Sequence, residues 1–209
     1  MNIIRTTLAA ALMLSIGAPA WAASTVDLTV KGKITPNACT PSLSGAGVID
    51  YGKVSAKDLN LTTPTSLPVA TLQLTITCDG STLFAVKGTD NRAGSNSSAY
   101  GYGLGLINGT QKLGAYDLTL QNAVADSVDT IVLESSDNGT TWRDLDDTAL
   151  VPSSLAAFGD RSSGVWLPVA IEQVTTDLVV YGRIARADSL DLSDEHLIDG
   201  SATFEVKYL

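Results

Sequence analysis

The residues with the most chemistry to offer are two cysteines and one histidine. Cys39 and Cys78 are the only cysteines, and they can form a disulfide in an oxidising compartment. Two thiolates and the single His196 fall short of the four ligands of a structural zinc site, so metal binding is the weaker alternative. No metal or cofactor is predicted. His196 stands between Glu195 and Leu197 in a polar stretch, which favours a solvated imidazole over a general base.

Motifs for catalysis are scarce. No G-x-S-x-G sequence marks a nucleophile elbow, so a Ser-His-Asp triad built from distant residues stays only an open alternative. Gly101, Gly103 and Gly105 do not complete the G-x-G-x-x-G motif of dinucleotide-binding proteins. Adjacent carboxylates such as Asp194 and Glu195 point to opposite faces of an extended strand, which favours solvated side chains. The chain is therefore predicted not to be an enzyme.

One turn motif stands out between Ser135 and Trp142, where the sequence matches the pattern S-x-D-x-G-x-T-W. Asn138-Gly139 is a strong signal for a hairpin turn with positive φ, and Asp137 can bond the backbone of the same turn. The motif predicts a structural hairpin, with a ligand-facing loop as the lesser alternative.

Composition restricts the possible partners. The 209 residues carry 13 Lys plus Arg against 22 Asp plus Glu, for a formal net charge of −9. No basic stripe is available to neutralise phosphates, so neither nucleic acid nor an anionic membrane surface is an expected partner. With 44% hydrophobic residues, the chain can bury a full core in one domain.

The first 22 residues are typical of an export signal. Arg5 supplies the positive charge, an apolar run follows at 8–16, and Ala20-Trp21-Ala22 gives a small-x-small cleavage pattern. The apolar run is well short of the roughly 20 residues that a membrane-spanning helix needs. Export to an oxidising compartment makes a Cys39–Cys78 disulfide the simplest expectation.

Alternating apolar and polar residues recur between clusters of Gly, Asn, Asp, Pro and Ser, which predicts an all-β antiparallel sandwich of at least eight strands. The clearest strand places Leu72, Leu74, Ile76 and Cys78 on one face. Further strands are expected at 83–87, 115–121, 128–134, 165–171 and 178–184, with turn-rich stretches at 91–98 and 152–164.

Both ends of the chain after the signal also alternate. The N-terminal apolar face consists of Val26, Leu28, Val30, Gly32 and Ile34. After an expected turn at Asp199-Gly200, the C-terminal apolar face consists of Ala202, Phe204, Val206 and Tyr208. From periodicity alone, ordinary edge strands of a closed sandwich explain both ends equally well.

The combination resembles the pilins of the chaperone–usher pathway, the subunits of fimbriae. The resemblance is carried by the signal peptide, the alternating extension with Gly32 seven residues before Cys39, the second cysteine, and an ending with Gly200 upstream and a tyrosine next to last. Residues 80–194 match only in being rich in strands, and the chain is somewhat longer than a typical major pilin.

The resemblance implies an incomplete immunoglobulin-like sandwich at 36–209 that lacks its last strand, preceded by a donor-strand extension at 23–35. Gly200, Ala202, Phe204, Val206 and Tyr208 would form the chaperone-recognition strand beside an open groove. The implied partners are a periplasmic chaperone, an outer-membrane usher and other pilin subunits, in a homo- or hetero-polymer. The implied location is a fimbrium on the cell surface, reached by export through the periplasm.

Two alternatives stay open at this point. The first is a carbohydrate-binding fimbrial adhesin-like protein, in which Trp142, Trp166, Tyr100 and Tyr102 offer faces for stacking. The second is a self-contained secreted β-sandwich whose own N-terminal strand completes the sheet.

Overall fold

A computed structural model of the chain describes residues 28–32, 38–145 and 149–209. The chain divides into two units, Met1–Ile34 and Thr35–Leu209. Of the first unit, residues 28–32 are described, and they adopt no regular secondary structure. The predicted signal peptide at 1–22, together with Val26 and Ile34 of the predicted extension, lies outside the described residues. The proposed boundaries at 22, 35 and 36 stay predictions.

The described residues of the second unit form β-strands and three short 3₁₀ turns. The strands are β1 Cys39–Leu43, β2 Thr65–Ser66, β3 Ala70–Thr82, β4 Phe84–Asp90, β5 Tyr102–Gly103, β6 Leu106–Ile107, β7 Gln111–Lys112, β8 Gly114–Ala125, β9 Val128–Asp129, β10 Ile131–Ser135, β11 Arg143–Asp144, β12 Leu155–Asp160, β13 Leu167–Pro168, β14 Ile171–Ile184 and β15 Ala202–Tyr208. The 3₁₀ turns are Ser44–Gly47, Ala56–Asp58 and Ala187–Ser189. None of these described turns has the length and apolar character needed to cross a membrane.

Two antiparallel sheets form an all-β sandwich of the immunoglobulin-like kind, as predicted. The first sheet has the strand order β1-β3-β14-β8-β5, with β2 paired to β14 and β9 paired to β8. The second has the order β11-β10-β12-β4-β15, with β13 paired to β12. β6 and β7 form a small separate pair.

The core lies between the two sheets because alternate residues of the long strands point inward. On β3, Leu74, Ile76 and Cys78 are buried, which confirms the face predicted from the sequence. The rings of Phe84 and Phe158 meet edge to face from neighbouring strands, with centroids 6.2 Å apart. Each large apolar side chain buried in this way contributes on the order of 1.5–3 kcal/mol.

Cys39 and Cys78 form a disulfide, as predicted. They face each other directly in the β1–β3 pairing, so the bond ties the edge strand β1 to its neighbour. A closed loop of this length stabilises a fold by roughly 4 kcal/mol in the chain-entropy description.

The prediction of a turn-rich stretch at 152–164 was wrong, because β12 lies there. β12 is rich in Ala and Gly, which are poor strand formers, so its sequence gave no strand signal. Small residues are nevertheless required at this place in the sheet. A Cβ added at Gly159 would lie 2.0 Å from the carbonyl oxygen of Leu167 on β13. The strand expected at 165–171 is reduced to the two residues of β13.

Candidate docking groove

Among the described residues, the C-terminal strand β15 is paired along one edge only. Its seven residues pair with β4 from Ala202 opposite Asp90 to Tyr208 opposite Phe84. Within residues 28–32, 38–145 and 149–209, no strand pairs with the other edge of β15. The edge strand β1 likewise pairs only with β3 in this part of the chain. A long free edge is a ready template for another strand.

The start of β15 is held in place by the segment that follows β4. The guanidinium of Arg92 donates from Nε to Oδ2 of Asp199 at 2.9 Å and from Nη2 to Oδ1 at 2.6 Å. This hydrogen bonding lowers the pKa of Asp199 and raises that of Arg92. The side-chain amide of Asn91 donates to the hydroxyls of Ser201 and Thr203, each at 3.0 Å. β15 is therefore fixed on its β4 side, and no strand of the described part of the chain pairs with its other side.

An apolar groove of about 240 Å³ opens between the two edge strands. β1 contributes Leu43 to its wall, and β15 contributes Ala202 and Phe204. The other lining residues are Gly47, Ile49, Tyr51, Leu72, Leu104, Tyr116, Leu118, Leu178, Val180, Ile198, Gly200 and Ser201. The groove thus exposes the sandwich interior between β1 and β15, as expected for a sandwich that lacks one strand.

The tyrosines at the groove stay uncharged. Burial is the main cause that raises the pKa of Tyr116, and it also raises that of Tyr51. Tyr116 stacks on Tyr102 with ring centroids 5.2 Å apart. The groove therefore offers no phenolate to an incoming chain at neutral pH, and it favours apolar side chains.

Tyr208 joins the end of β15 to β1. Its hydroxyl accepts a hydrogen bond from the backbone N–H of Cys39 at 3.0 Å, which joins the end of β15 to the start of β1. Beyond it, the backbone N–H of Leu209 donates to the carbonyl of Leu83. β1 and β15 are therefore joined where β15 ends, whereas the groove lies toward the start of β15, at Ala202 and Phe204.

Of the predicted recognition-strand residues, Gly200, Ala202 and Phe204 line the groove, whereas Val206 and Tyr208 lie further along β15. Ala202, Phe204 and Val206 are half-buried and pack against the core. Tyr208 is 40% exposed but reaches across to Cys39. Gly200 lines the groove, yet it does not form the expected turn. A Cβ on Gly200 would lie 2.9 Å from Leu104 Cδ2 and 3.0 Å from a Tyr116 ring carbon, so close packing explains the glycine.

The predicted donor residues that the structure describes are Leu28, Val30 and Gly32. Leu28 is 89% exposed and Val30 is 86% exposed. Two large apolar side chains that are exposed two residues apart are candidates for burial against another surface. Their role as a donor strand stays a prediction.

Several groove residues were missed from the sequence. Leu43, Ile49 and Tyr51 line the groove, but they lie in a stretch without sustained alternation. Ile198 comes from the connection between β14 and β15, which was expected to be polar. Only the alternation of β15 itself could have indicated the groove.

The aromatic residues considered for carbohydrate stacking lie in different environments. Tyr102 is fully buried, so it offers no face to a sugar. Trp142 packs against the small cluster around Leu155, and Trp166 lies under the guanidinium of Arg161 at 5.4 Å. Only Tyr100 is broadly exposed among these four. This distribution gives no support to the adhesin alternative.

The motif at 135–142 is a structural loop between β10 and β11. Asn138 and Gly139 both have positive φ, at 59° and 88°. The backbone N–H of Thr141 donates to Oδ1 of Asp137 at 2.9 Å, as the motif predicts. The loop is longer than a two-residue hairpin, because the β10–β11 pairing begins with Glu134 opposite Arg143.

Over the described residues, the fold and the groove define an all-β sandwich with an unpaired strand edge beside an apolar groove. Residues 28–101 match a family model described as a protein of unknown function, DUF1120. That range contains both cysteines, β1, β3 and β4.

Two proteins of Escherichia coli (strain K12) are similar over the whole chain. Protein GltF is 28% identical over 249 aligned residues, which cover 100% of this chain and 98% of GltF. Uncharacterized protein YhcF is 24% identical over 242 aligned residues, which cover 100% of both chains. Neither name states an activity, so the similarity concerns the whole chain and assigns no function.

Proposed function

We propose that this chain is a structural subunit of a chaperone–usher fimbria that supports surface adhesion and polymerises by donor-strand exchange. In this proposal, the N-terminal segment 25–34 of one subunit enters the groove between β1 and β15 of the next. A periplasmic chaperone occupies the groove first, and an outer-membrane usher directs the exchange and export. The observation that carries the proposal is the free edge of β15 beside an apolar groove.

The pattern of the segment supports this pairing. Its apolar residues alternate with polar ones, so in a strand they share one face. Val26, Leu28, Val30 and Ile34 would each gain about 1.5–3 kcal/mol on burial, before the costs of association. Main-chain hydrogen bonds to the free edge of β15 add to this, as in other cases of strand addition. The result is a durable joint between subunits.

The open groove is also a reason to expect a partner during export. An apolar groove with a free strand edge aggregates unless a second chain fills it. A chaperone that supplies a strand resolves this before assembly. No catalytic role is proposed for the chain.

The proposal is tested with two arginine substitutions in the segment. Val30→Arg places a charge on the apolar face, and burying it costs several kcal/mol without a partner. Thr29→Arg places the same charge on the polar face and is the matched control. Electron microscopy and size-exclusion chromatography of the secreted chains should show linear polymers for wild type and Thr29→Arg. Val30→Arg should stop at single subunits or chaperone complexes.

A different outcome would favour the self-contained sandwich. If the wild-type chain is a stable monomer and Val30→Arg only lowers its melting temperature, the segment pairs within its own chain. The polymer proposal would then be abandoned.

A further inference from the structure

The two strands beside the groove, β1 and β15, differ in the main-chain groups that their outer edges present. In an antiparallel pair, the N–H and C=O groups of alternate residues face the partner strand, and those of the residues between face away. The residues that face away therefore follow from the register of β1 on β3 and of β15 on β4.

β15 presents a complete edge. The N–H of Asn91 donates to the carbonyl of Ser201, and the N–H of Leu209 donates to the carbonyl of Leu83. Every second residue from Ser201 to Leu209 therefore bonds toward β4. The residues whose N–H and C=O groups face away from β4 are Ala202, Phe204, Val206 and Tyr208. None of them is a proline, so each has a main-chain donor and a main-chain acceptor for another strand.

β1 is oriented by the bond that precedes it. The N–H of Asp79 donates to the carbonyl of Ala38, so these two residues face each other across the pair of strands. The alternation then continues along the register of β1 on β3. The residues of β1 whose main-chain groups face away from β3 are Cys39, Pro41 and Leu43.

The outer edge of β1 is poor in donors. Pro41 has no N–H. The N–H of Cys39 donates to the hydroxyl of Tyr208 at 3.0 Å, so this hydroxyl takes the place of a carbonyl from a neighbouring strand. Leu43 is thus the one residue of β1 that turns an N–H away from β3 with neither restriction. β1 offers one such donor, whereas β15 offers four.

Proline and side chains that cover main-chain groups are ways in which edge strands are protected against pairing. β1 carries both kinds of protection, at Pro41 and at Cys39. β15 carries neither on its outer edge. The two edges beside the groove are therefore unequal templates for another strand.

We propose that strand addition in this groove is one-sided, so that the segment 25–34 of a second copy takes its main-chain donors from β15 and at most one from β1. This inference rests on the proposed function and adds which edge of the groove is the template. The carbonyls of the segment bond to the N–H groups of β15. The Tyr208 hydroxyl keeps its bond to Cys39 when the groove is filled.

Restoring a donor to β1 tests the inference. A fluorescent peptide of residues 25–34 is titrated into the full chain with Val30→Arg, which by the proposed function cannot donate its own segment, and the affinity is measured by anisotropy. Pro41→Ala gives β1 a further N–H on its outer edge. It should tighten peptide binding about two- to tenfold, as expected for one added hydrogen bond. Thr40→Ala is the matched control and should leave the affinity unchanged, because the N–H of Thr40 faces β3.

Amide hydrogen exchange, measured by NMR with and without the peptide, needs no substitution in β1 or β15. The peptide should slow the exchange of the four outward amides of β15 and leave that of Cys39 unchanged, since Tyr208 already binds it. This measurement decides the question even if Pro41→Ala does not fold.

The outcomes separate this inference from the proposed function. If the peptide binds but Pro41→Ala does not bind it more tightly than Thr40→Ala, β1 is not limited by its missing donor and the inference is wrong. The inference is also wrong if the amide of Cys39 gains as much protection as the outward amides of β15. Absence of any peptide binding would overturn the proposed function together with the inference.

Discussion

The backbone N–H of Cys39 donates to the hydroxyl of Tyr208 across 3.0 Å, and this bond joins the two free edges of the sandwich. Cys39 is also bridged to Cys78, so β1, β3 and β15 are connected where β15 ends. Tyr208 was noted in the sequence as part of an alternating apolar face. In the structure its hydroxyl also connects two strands.

Tyr208→Phe should destabilise the domain by about 0.5–1.5 kcal/mol, because it removes one hydrogen bond and leaves the Cys39 N–H without that acceptor. Urea unfolding of the full chain measures the change. Tyr181→Phe removes a hydroxyl from a similarly exposed tyrosine on β14 and is the control. Equal effects of the two substitutions would show that the bond to Cys39 contributes nothing specific.

Gly139→Val should destabilise the loop between β10 and β11 strongly. Gly139 has a φ of +88°, which a β-branched residue adopts only at a high energetic cost. Gly139→Asn is the matched control, since asparagine tolerates positive φ better, and it should cost less. Thermal unfolding ranks the variants. A valine variant as stable as the asparagine variant would show that the loop relaxes to another conformation.

The stability of the same loop should change with pH in the acid range, because Asp137 titrates there. Hydrogen bonds from the side chain and backbone of Thr141, followed by the Ser135 hydroxyl, lower the pKa of Asp137 from 3.8 to about 2. Since the folded pKa is depressed, the stabilisation is present above the unfolded pKa of about 3.9 and is lost as pH falls through about 2. NMR titration of the carboxyl carbon measures this pKa.

Thr141→Val isolates the cause of that shift. It removes the hydroxyl that donates to Asp137 at 2.6 Å, so the pKa should rise toward its usual value. A titration midpoint for Asp137 that does not move would mean that the Thr141 hydroxyl is not the main cause.

Much of the fold could be predicted because its strands follow simple alternation. β3 showed its buried face directly, and the disulfide followed from two cysteines in a chain expected to be exported. β12 was missed because its small residues are required by close packing against β13. Sequence periodicity gives no signal of such packing. For the groove, β15 was visible, but Ile49 and Tyr51 are brought to it only by the tertiary fold. Gly200 was predicted to form a turn. Glycine is needed there because a Cβ would lie too close to Leu104 and Tyr116.

The central claim, that segment 25–34 of one chain fills the groove of another, is tested most directly by cross-linking between labelled copies. Val30→Cys is made in ¹⁵N-labelled chains and Phe204→Cys in unlabelled chains, and both are assembled together and oxidised. The proposed function predicts disulfide-linked peptides that join one heavy and one light chain, identified by mass spectrometry. The double variant with Val30→Cys and Phe204→Cys in one chain is the second sample. If it forms this disulfide within a single monomeric chain, the central claim is contradicted.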